Sequence, residues 1–434
     1  MKKEILINSS RFLIISLIAL FFTSTRYTNS LYAQNVQDYT EFKGKLVDIK
    51  TKKPLVFADL NVAGTNISTV TNTEGDFSLK VPNDLTNGKV TISFLGYKKQ
   101  SFPLLQLQGG NTEISLTPSI TELTEVNINA PKNAETLVKA MLERKGENYI
   151  DEQAIMTAFY RETIKNRRKN ASLSEAVVEI YKQPYQSRRN DAIKLIKARK
   201  STNYSRLDTL ALKLQGGPFS ALYADMIKYP EFMFNQESMA YYDFDFAKST
   251  EVNNRQVYVV SFKQKPEEHG PMYFGKLYID AETYALTSAV YSLNVKNRER
   301  AAAMFIRKKP RKAIVYPTLA SYRVDYRNTA GKWYYGYSNI QLTFKVNWKN
   351  KLFNSVYTLQ SEMAITDWET NTTGENRPKK ALRPTVILAD EASGFSEPEF
   401  WGKYNIIEPE KSIENAIRKI NRQFKRDNMQ AGKN

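Results

Sequence analysis

Over most of the 434 residues, apolar side chains recur at every second position in short runs separated by turn residues. In an extended chain, alternate side chains point to opposite faces, so this spacing predicts strands that each bury one face. Between Phe42 and Thr117 the runs are Val56, Ala58, Leu60 and Val62, then Phe77, Leu79 and Val81, then Val90, Ile92 and Phe94, then Ile114 and Leu116. Turn chemistry separates them at Lys52-Lys53-Pro54, Ala63-Gly64-Thr65-Asn66, Glu74-Gly75-Asp76, Asn87-Gly88 and Gly109-Gly110-Asn111. About seven strands in so short a stretch predict a small β-sandwich, in which two sheets bury each other's apolar faces.

Several spaced motifs in this stretch occur in a familiar order. They are Gly44-Lys45-Leu46-Val47-Asp48, Pro54-Leu55 with Ala58, Ala63-Gly64-Thr65, Thr71-Asn72-Thr73-Glu74-Gly75-Asp76-Phe77 and Ser93-Phe94-Leu95-Gly96-Tyr97. Together they resemble the carboxypeptidase regulatory-like domain, over residues 42–118. The resemblance implies a transthyretin-like sandwich of the kind common in cell-envelope proteins of Bacteroidetes-like bacteria, including the N-terminal extensions of TonB-dependent receptors. It implies no catalysis. The zinc carboxypeptidases for which the family is named hold their metal with two histidines and a glutamate, and this chain has one histidine.

Residues 119–132 read as a linker. Within it, Glu122-Leu123-Thr124-Glu125-Val126-Asn127-Ile128-Asn129-Ala130 resembles the segment that precedes the plug of such receptors and contacts TonB. Too little chain follows for a plug and a large outer-membrane barrel, whose strands need about ten residues each plus loops. A polar interdomain segment is therefore the preferred reading.

From residue 133 the period changes. Ala134, Leu137, Val138, Met141 and Leu142 recur at three and four, which predicts a helix over 133–150. Beyond it the alternation returns, with strands expected near 155–162, 173–181, 192–199, 239–246, 256–263, 272–280, 285–293, 314–326, 333–346 and 352–365. Short loops between them imply antiparallel order. Pro218 to Tyr229 and Ser412 to Phe424 read as helices. The hairpins Gly275 to Asp280 and Tyr284 to Ser292 resemble those of periplasmic half-barrels such as the lipoprotein carriers, which implies a curved open sheet with helices across its concave face and room for an apolar ligand. The expected fold is thus mainly β: a sandwich at 42–118, a larger antiparallel half-barrel domain with a few helices at 133–410, and a basic C-terminal helix and tail at 411–434.

The N-terminus bears on the compartment. Lys2 and Lys3 precede the apolar run Phe12 to Phe22, and Leu31-Tyr32-Ala33-Gln34 closes a polar stretch. The apolar run suits a signal peptide over 1–33 and falls short of the roughly 20 residues that span a bilayer. Because no cysteine follows it to accept a lipid, the expectation is an exported protein, periplasmic or associated with the outer membrane, and not a lipoprotein.

The chain contains no cysteine, and His269 is its single histidine. Disulfide scaffolds, cysteine zinc sites, iron–sulfur clusters, thiol nucleophiles and two-histidine metal sites cannot be assembled from it alone, so no metal or cofactor is expected. His269 lies in the turn-rich loop Lys265 to Pro271, and no Gly-x-Ser-x-Gly elbow supplies a nucleophile for it. Asp243 and Asp245 share a strand face at a spacing that a glycosidase could use and that any polar strand offers.

Two sets of binding residues stand out. Tyr241, Tyr242, Trp333 and Tyr335 lie in expected strands and could form an aromatic platform for a glycan or an apolar ligand, although aromatics favour strands in any case. Arg307, Lys308, Lys309, Arg311 and Lys312 form a basic run in a chain of net charge +18, suited to an anionic surface. No nucleic-acid-binding motif accompanies them. The sequence therefore points to a noncatalytic binding or assembly factor whose partners are envelope lipid, glycan or outer-membrane protein. An accessory of TonB-linked uptake and a glycan- or ester-acting hydrolase are the alternatives.

Overall fold

The computed structural model describes residues 38–110, 112–119, 131–202, 215–235, 237–252, 255–306, 309–349, 353–394 and 400–411. The expectations for 1–33, 122–130 and 412–424, and for Arg307 and Lys308, lie outside them. Among the described residues no helix is long and apolar enough to cross a membrane.

The first seven strands are β1 (Tyr39–Asp48), β2 (Asp59–Val62), β3 (Ser68–Val70), β4 (Asp76–Pro82), β5 (Lys89–Ser93), β6 (Gln100–Pro103) and β7 (Thr112–Leu116). They form two sheets, ordered β4-β1-β7 and β3-β2-β5-β6. The residues of the alternating runs meet between the sheets: Leu60, Phe77, Leu79, Val90, Ile92 and Leu116 are fully buried together with Phe42 and Leu46. The Glu74-Gly75-Asp76 turn is tied to Asn72, whose Oδ1 accepts the backbone N–H of Glu74 and of Asp76, both at 2.9 Å. Gly75 sits there at φ +80°, with the Leu46 carbonyl 2.6 Å from where a Cβ would lie, so the turn excludes a side chain.

The third and largest sheet contains β8 (Ala154–Asn166), β9 (Lys169–Lys182), β10 (Ala192–Thr202), β11 (Tyr242–Val252), β12 (Arg255–Gln264), β13 (Tyr273–Asp280), β14 (Leu286–Leu293), β15 (Ala313–Thr329), β16 (Lys332–Trp348) and β17 (Ser355–Thr370). A two-residue β18 (Ser393–Gly394) adds to one edge, parallel to β10. The order is β11-β12-β13-β14-β15-β16-β17-β8-β9-β10-β18, antiparallel apart from that last pair, and the edges do not meet, so the sheet stays open. All ten expected strands are present. Several run longer than their apolar alternation, because ladder hydrogen bonds continue through polar residues. Strand β8, first in sequence here, lies in the interior because it pairs with β17, with Tyr357 opposite Asn166 and Thr370 opposite Ala154.

Opposite parities of β8 define the two faces. Met156, Ala158 and Tyr160 belong to the inner face, with Ala176, Val178 and Ile180 of β9. Phe159 and Val177 face outward, with Tyr337 and Ala364. Helix Ala134–Glu143 covers the inner face with the stripe expected of it, Leu137, Val138 and Met141, and its N-cap Asn133 accepts the Thr136 N–H at 2.8 Å. The helix expected over Pro218 to Tyr229 is confined to Pro218–Leu222. Turns follow it, and they aim Asp225 and Tyr229 at the sheet, where both find polar partners. Helix Arg298–Phe305 was not anticipated, since Ala301 is its only fully buried residue and no apolar stripe announces it.

Candidate functional site

The inner face at the β8–β9 end is filled by the chain itself. Phe219, Leu222, Ile227, Phe234 and Met239, from the segment between β10 and β11, are buried against the strands. The half-barrel resemblance implied an open concavity here. This cap occupies it, and packing against the strands takes its apolar side chains out of water.

A polar cluster pins the cap down. The Lys182 ammonium, at the end of β9, donates to Asp191 at 2.9 Å and to Asp225 of the cap at 2.7 Å, and all three side chains are fully buried. The second Asp191 oxygen accepts the Gln183 N–H at 2.7 Å, and the second Asp225 oxygen accepts the Tyr326 hydroxyl at 3.0 Å. The Tyr229 hydroxyl takes the Asp191 N–H at 3.1 Å. Burial works to lower the Lys182 pKa, but the two carboxylates overcome it and hold the pKa above its ordinary value. Two buried acids around a lysine could resemble a catalytic set. Here each carboxylate oxygen already accepts a hydrogen bond and none faces solvent, so the cluster is a clasp. Nearby, burial lowers the Lys228 pKa to about 8, while its ammonium donates to the carbonyls of Pro184 and Ser187.

Glu162 also lies on the inner face, two residues beyond Tyr160. Burial raises its pKa to about 7, and the Tyr160 hydroxyl, donating at 3.1 Å, offsets only part of that effect.

The outer face carries a second ionic network. Arg161 donates to Glu175 at 2.8 Å, to Glu362 at 3.2 Å and to the Ile407 carbonyl at 2.6 Å, and Arg199 grips the other Glu175 oxygen at 2.7 Å. Residues 400–411 are thereby bound across the sheet, with Trp401 and Ile407 packed beside Val70 of the sandwich. Arg327 of β15 reaches the sandwich directly: its Nε donates to Asp59 at 2.6 Å and its Nη1 to Ser68 at 2.7 Å. Between the sandwich and the sheet a cavity of about 50 Å³ remains, lined by Asp59, Phe94, Arg323, Asp325 and Tyr337. It has room for a few waters.

The aromatic candidates divide. Tyr242, Trp333 and Tyr335 are core residues of the inner face, whereas Tyr241 is 44% exposed. The Tyr335 hydroxyl donates to the Ala221 carbonyl at 3.1 Å, so it fastens the cap. The structure therefore does not bring the four together as a platform; three serve the cross-strand packing that their strand positions also allow. Of the basic run, Lys309, Arg311 and Lys312 are described and exposed. His269 lies in an exposed loop, where its carbonyl accepts from Arg300 at 3.2 Å. Asp243 and Asp245 sit on edge strand β11, alternating with Tyr242 and Phe244, which pack into the core. Among the described residues no group of three or more His, Cys, Asp or Glu could hold a metal ion. The sequence reading missed the two ionic networks; their members were legible only as polar residues interrupting strand alternation, at Lys182, Arg161 and Glu175.

Residues 42–128 match the family model of the CarboxypepD_reg-like domain, in agreement with the resemblance carried by Gly44 to Tyr97. No curated protein matches the chain. Among solved structures, a DUF1329 family protein from Desulfovibrio piger is similar at 9% identity over 56% of this chain and 96% of its own, with a TM-score of 0.24. MucB is similar at 12% identity over 57% and 98%, with a TM-score of 0.19. A LolA superfamily protein from Nitrosomonas europaea is similar at 7% identity over 55% and 95%, also with a TM-score of 0.19. At such scores the likeness does not extend to a ligand.

Proposed function

We propose that this protein is a noncatalytic binding or assembly factor of the cell envelope, acting through a rigid two-sided plate. One observation carries the reading: around β8 and β9 both faces of the large sheet are already covered, the inner by the cap clasped through Lys182, the outer by the sandwich and residues 400–411 held through Arg161 and Arg327. Buried charges committed to such clasps are unavailable for turnover, and a plate covered there on both sides meets its partners with loops, sheet ends and the strands left uncovered. The CarboxypepD_reg-like domain, which brings no catalytic residues, supports the same reading.

The test is native mass spectrometry of the purified protein after incubation with an envelope lipid extract, beside a panel of ester and glycan substrates. The expected result is the bare protein mass and no turnover. A stoichiometric lipid retained through purification would replace the plate with a carrier, and turnover that disappears with His269→Ala or Asp243→Asn would make the protein a hydrolase.

A further inference from the structure

We infer that the end of the large sheet that carries the β8–β9 turn, the start of β15, Lys349 after β16 and Phe353 before β17 is a docking surface for an anionic lipid bilayer. The hydrogen-bond register brings these segments together although they lie far apart in sequence. Ala313 is opposite Trp348, Tyr357 is opposite Asn166, the Lys349 N–H donates to the Lys312 carbonyl at 3.0 Å, and the Arg167 N–H donates to the Val356 carbonyl at 2.8 Å. In 165–170, 305–316 and 345–357 the sequence contains no Asp or Glu. Arg167, Arg168, Lys169, Arg311, Lys312 and Lys349 are exposed there. None of the six makes a salt bridge with a described carboxylate.

Cations alone would serve any polyanion, but this end also exposes large apolar side chains. Phe353 is 79% exposed, Ile314 55% and Met304 52%, the first being the most exposed large hydrophobic residue of the described chain. Their neighbours Phe305, Phe344 and Val346 are packed in a core cluster, so the exposed three project from a firm base. An exposed aromatic side chain on a sheet end that also exposes six cations matches a bilayer interface: the cations meet anionic headgroups and the apolar groups enter the boundary below them. A soluble acidic polysaccharide would match the charge and leave Phe353 in water. The inference adds a place of attachment to the plate reading and does not depend on what the plate assembles.

The absence of native cysteine allows a direct test on the full chain. Phe353→Cys carries an environment-sensitive fluorophore, and Lys50→Cys on the sandwich serves as a control. Vesicles of equimolar phosphatidylcholine and phosphatidylglycerol should blue-shift the label at 353, leave the label at 50 unchanged, and lose their effect at high salt, while pure phosphatidylcholine should do neither. Replacing Arg167, Arg168 and Lys169 by glutamine should weaken the partition of the labelled chain about 100-fold, at about fivefold per cation. These side chains are exposed, so the thermal transition should not move. If the protein sediments with anionic vesicles while the label at 353 still reports water, or if the triple variant binds as before, the surface is elsewhere and the inference fails. Binding to heparin without binding to vesicles would likewise overturn it in favour of a polysaccharide contact.

Discussion

Lys182 at the end of β9 and Asp225 in the cap are 2.7 Å apart, both fully buried, and 43 residues separate them in sequence. This pair joins a strand end to a segment with little regular structure of its own. Removing one partner leaves a buried charge without compensation, which costs far more than the intact pair contributes relative to an apolar replacement. Lys182→Met should therefore destabilise the protein by about 3 to 5 kcal/mol in urea denaturation. A loss below about 1 kcal/mol would mean that water already reaches the two carboxylates.

Arg327 does for the sandwich what Lys182 does for the cap. Arg327→Met should loosen the junction while sparing the inner core, so hydrogen exchange should rise at Ser68 to Val70 and at Tyr337 while the amides of β8 and β9 keep their protection. Uniform loss of protection across the chain would show that the junction and the inner core unfold as one.

Glu162 sets a pH dependence of definite sign. Its pKa rises from 4.5 to about 7 on folding, so the folded state favours the protonated form. The group's contribution to stability is complete below pH 4.5 and is lost as pH climbs through about 7, a difference of about 3 kcal/mol at 1.36 kcal/mol per unit. Glu162→Gln should match the parent in acid and exceed it above neutrality. Parallel stability curves for the two proteins would show that the carboxyl is hydrated.

Among the aromatic candidates, burial predicts opposite outcomes. Tyr335→Phe removes the hydroxyl that bonds Ala221 and Ser338 and should cost about 1 to 2 kcal/mol. Tyr241→Ser, at an exposed position, should stay within about 0.5 kcal/mol. Urea midpoints check both. A large loss at Tyr241 would point to an occupant that covers it.

Much of the fold was legible because strand alternation is a local property. The runs at Leu60, Phe77 and Ile92 predicted which side chains enter the sandwich core, and the motif order from Gly44 to Tyr97 identified its family. The stripe Leu137, Val138 and Met141 predicted the helix that covers the sheet. The candidate sites were less legible. Tyr242, Trp333 and Tyr335 look the same in sequence whether they face a ligand or a neighbouring strand, since both uses favour aromatic residues. The basic run at Lys309 to Lys312 was visible, but its sharing of a sheet end with the turn at Arg167 to Lys169 was not, because only the β15–β16, β16–β17 and β8–β17 pairings bring them to one end.

Local physics, then, decided from the order of residues where strands and turns fall, which parity is buried, and that paired cysteines and histidines are absent. The tertiary structure alone decided that β8 lies beside β17, that the cap fills the inner face, and that Lys182, Arg161 and Arg327 clasp segments distant in sequence. Alternation specifies which face of a strand leaves water and is silent about its neighbour; the neighbour is chosen by the collective closing of apolar surface and by the few arrangements in which every buried charge finds its counterpart.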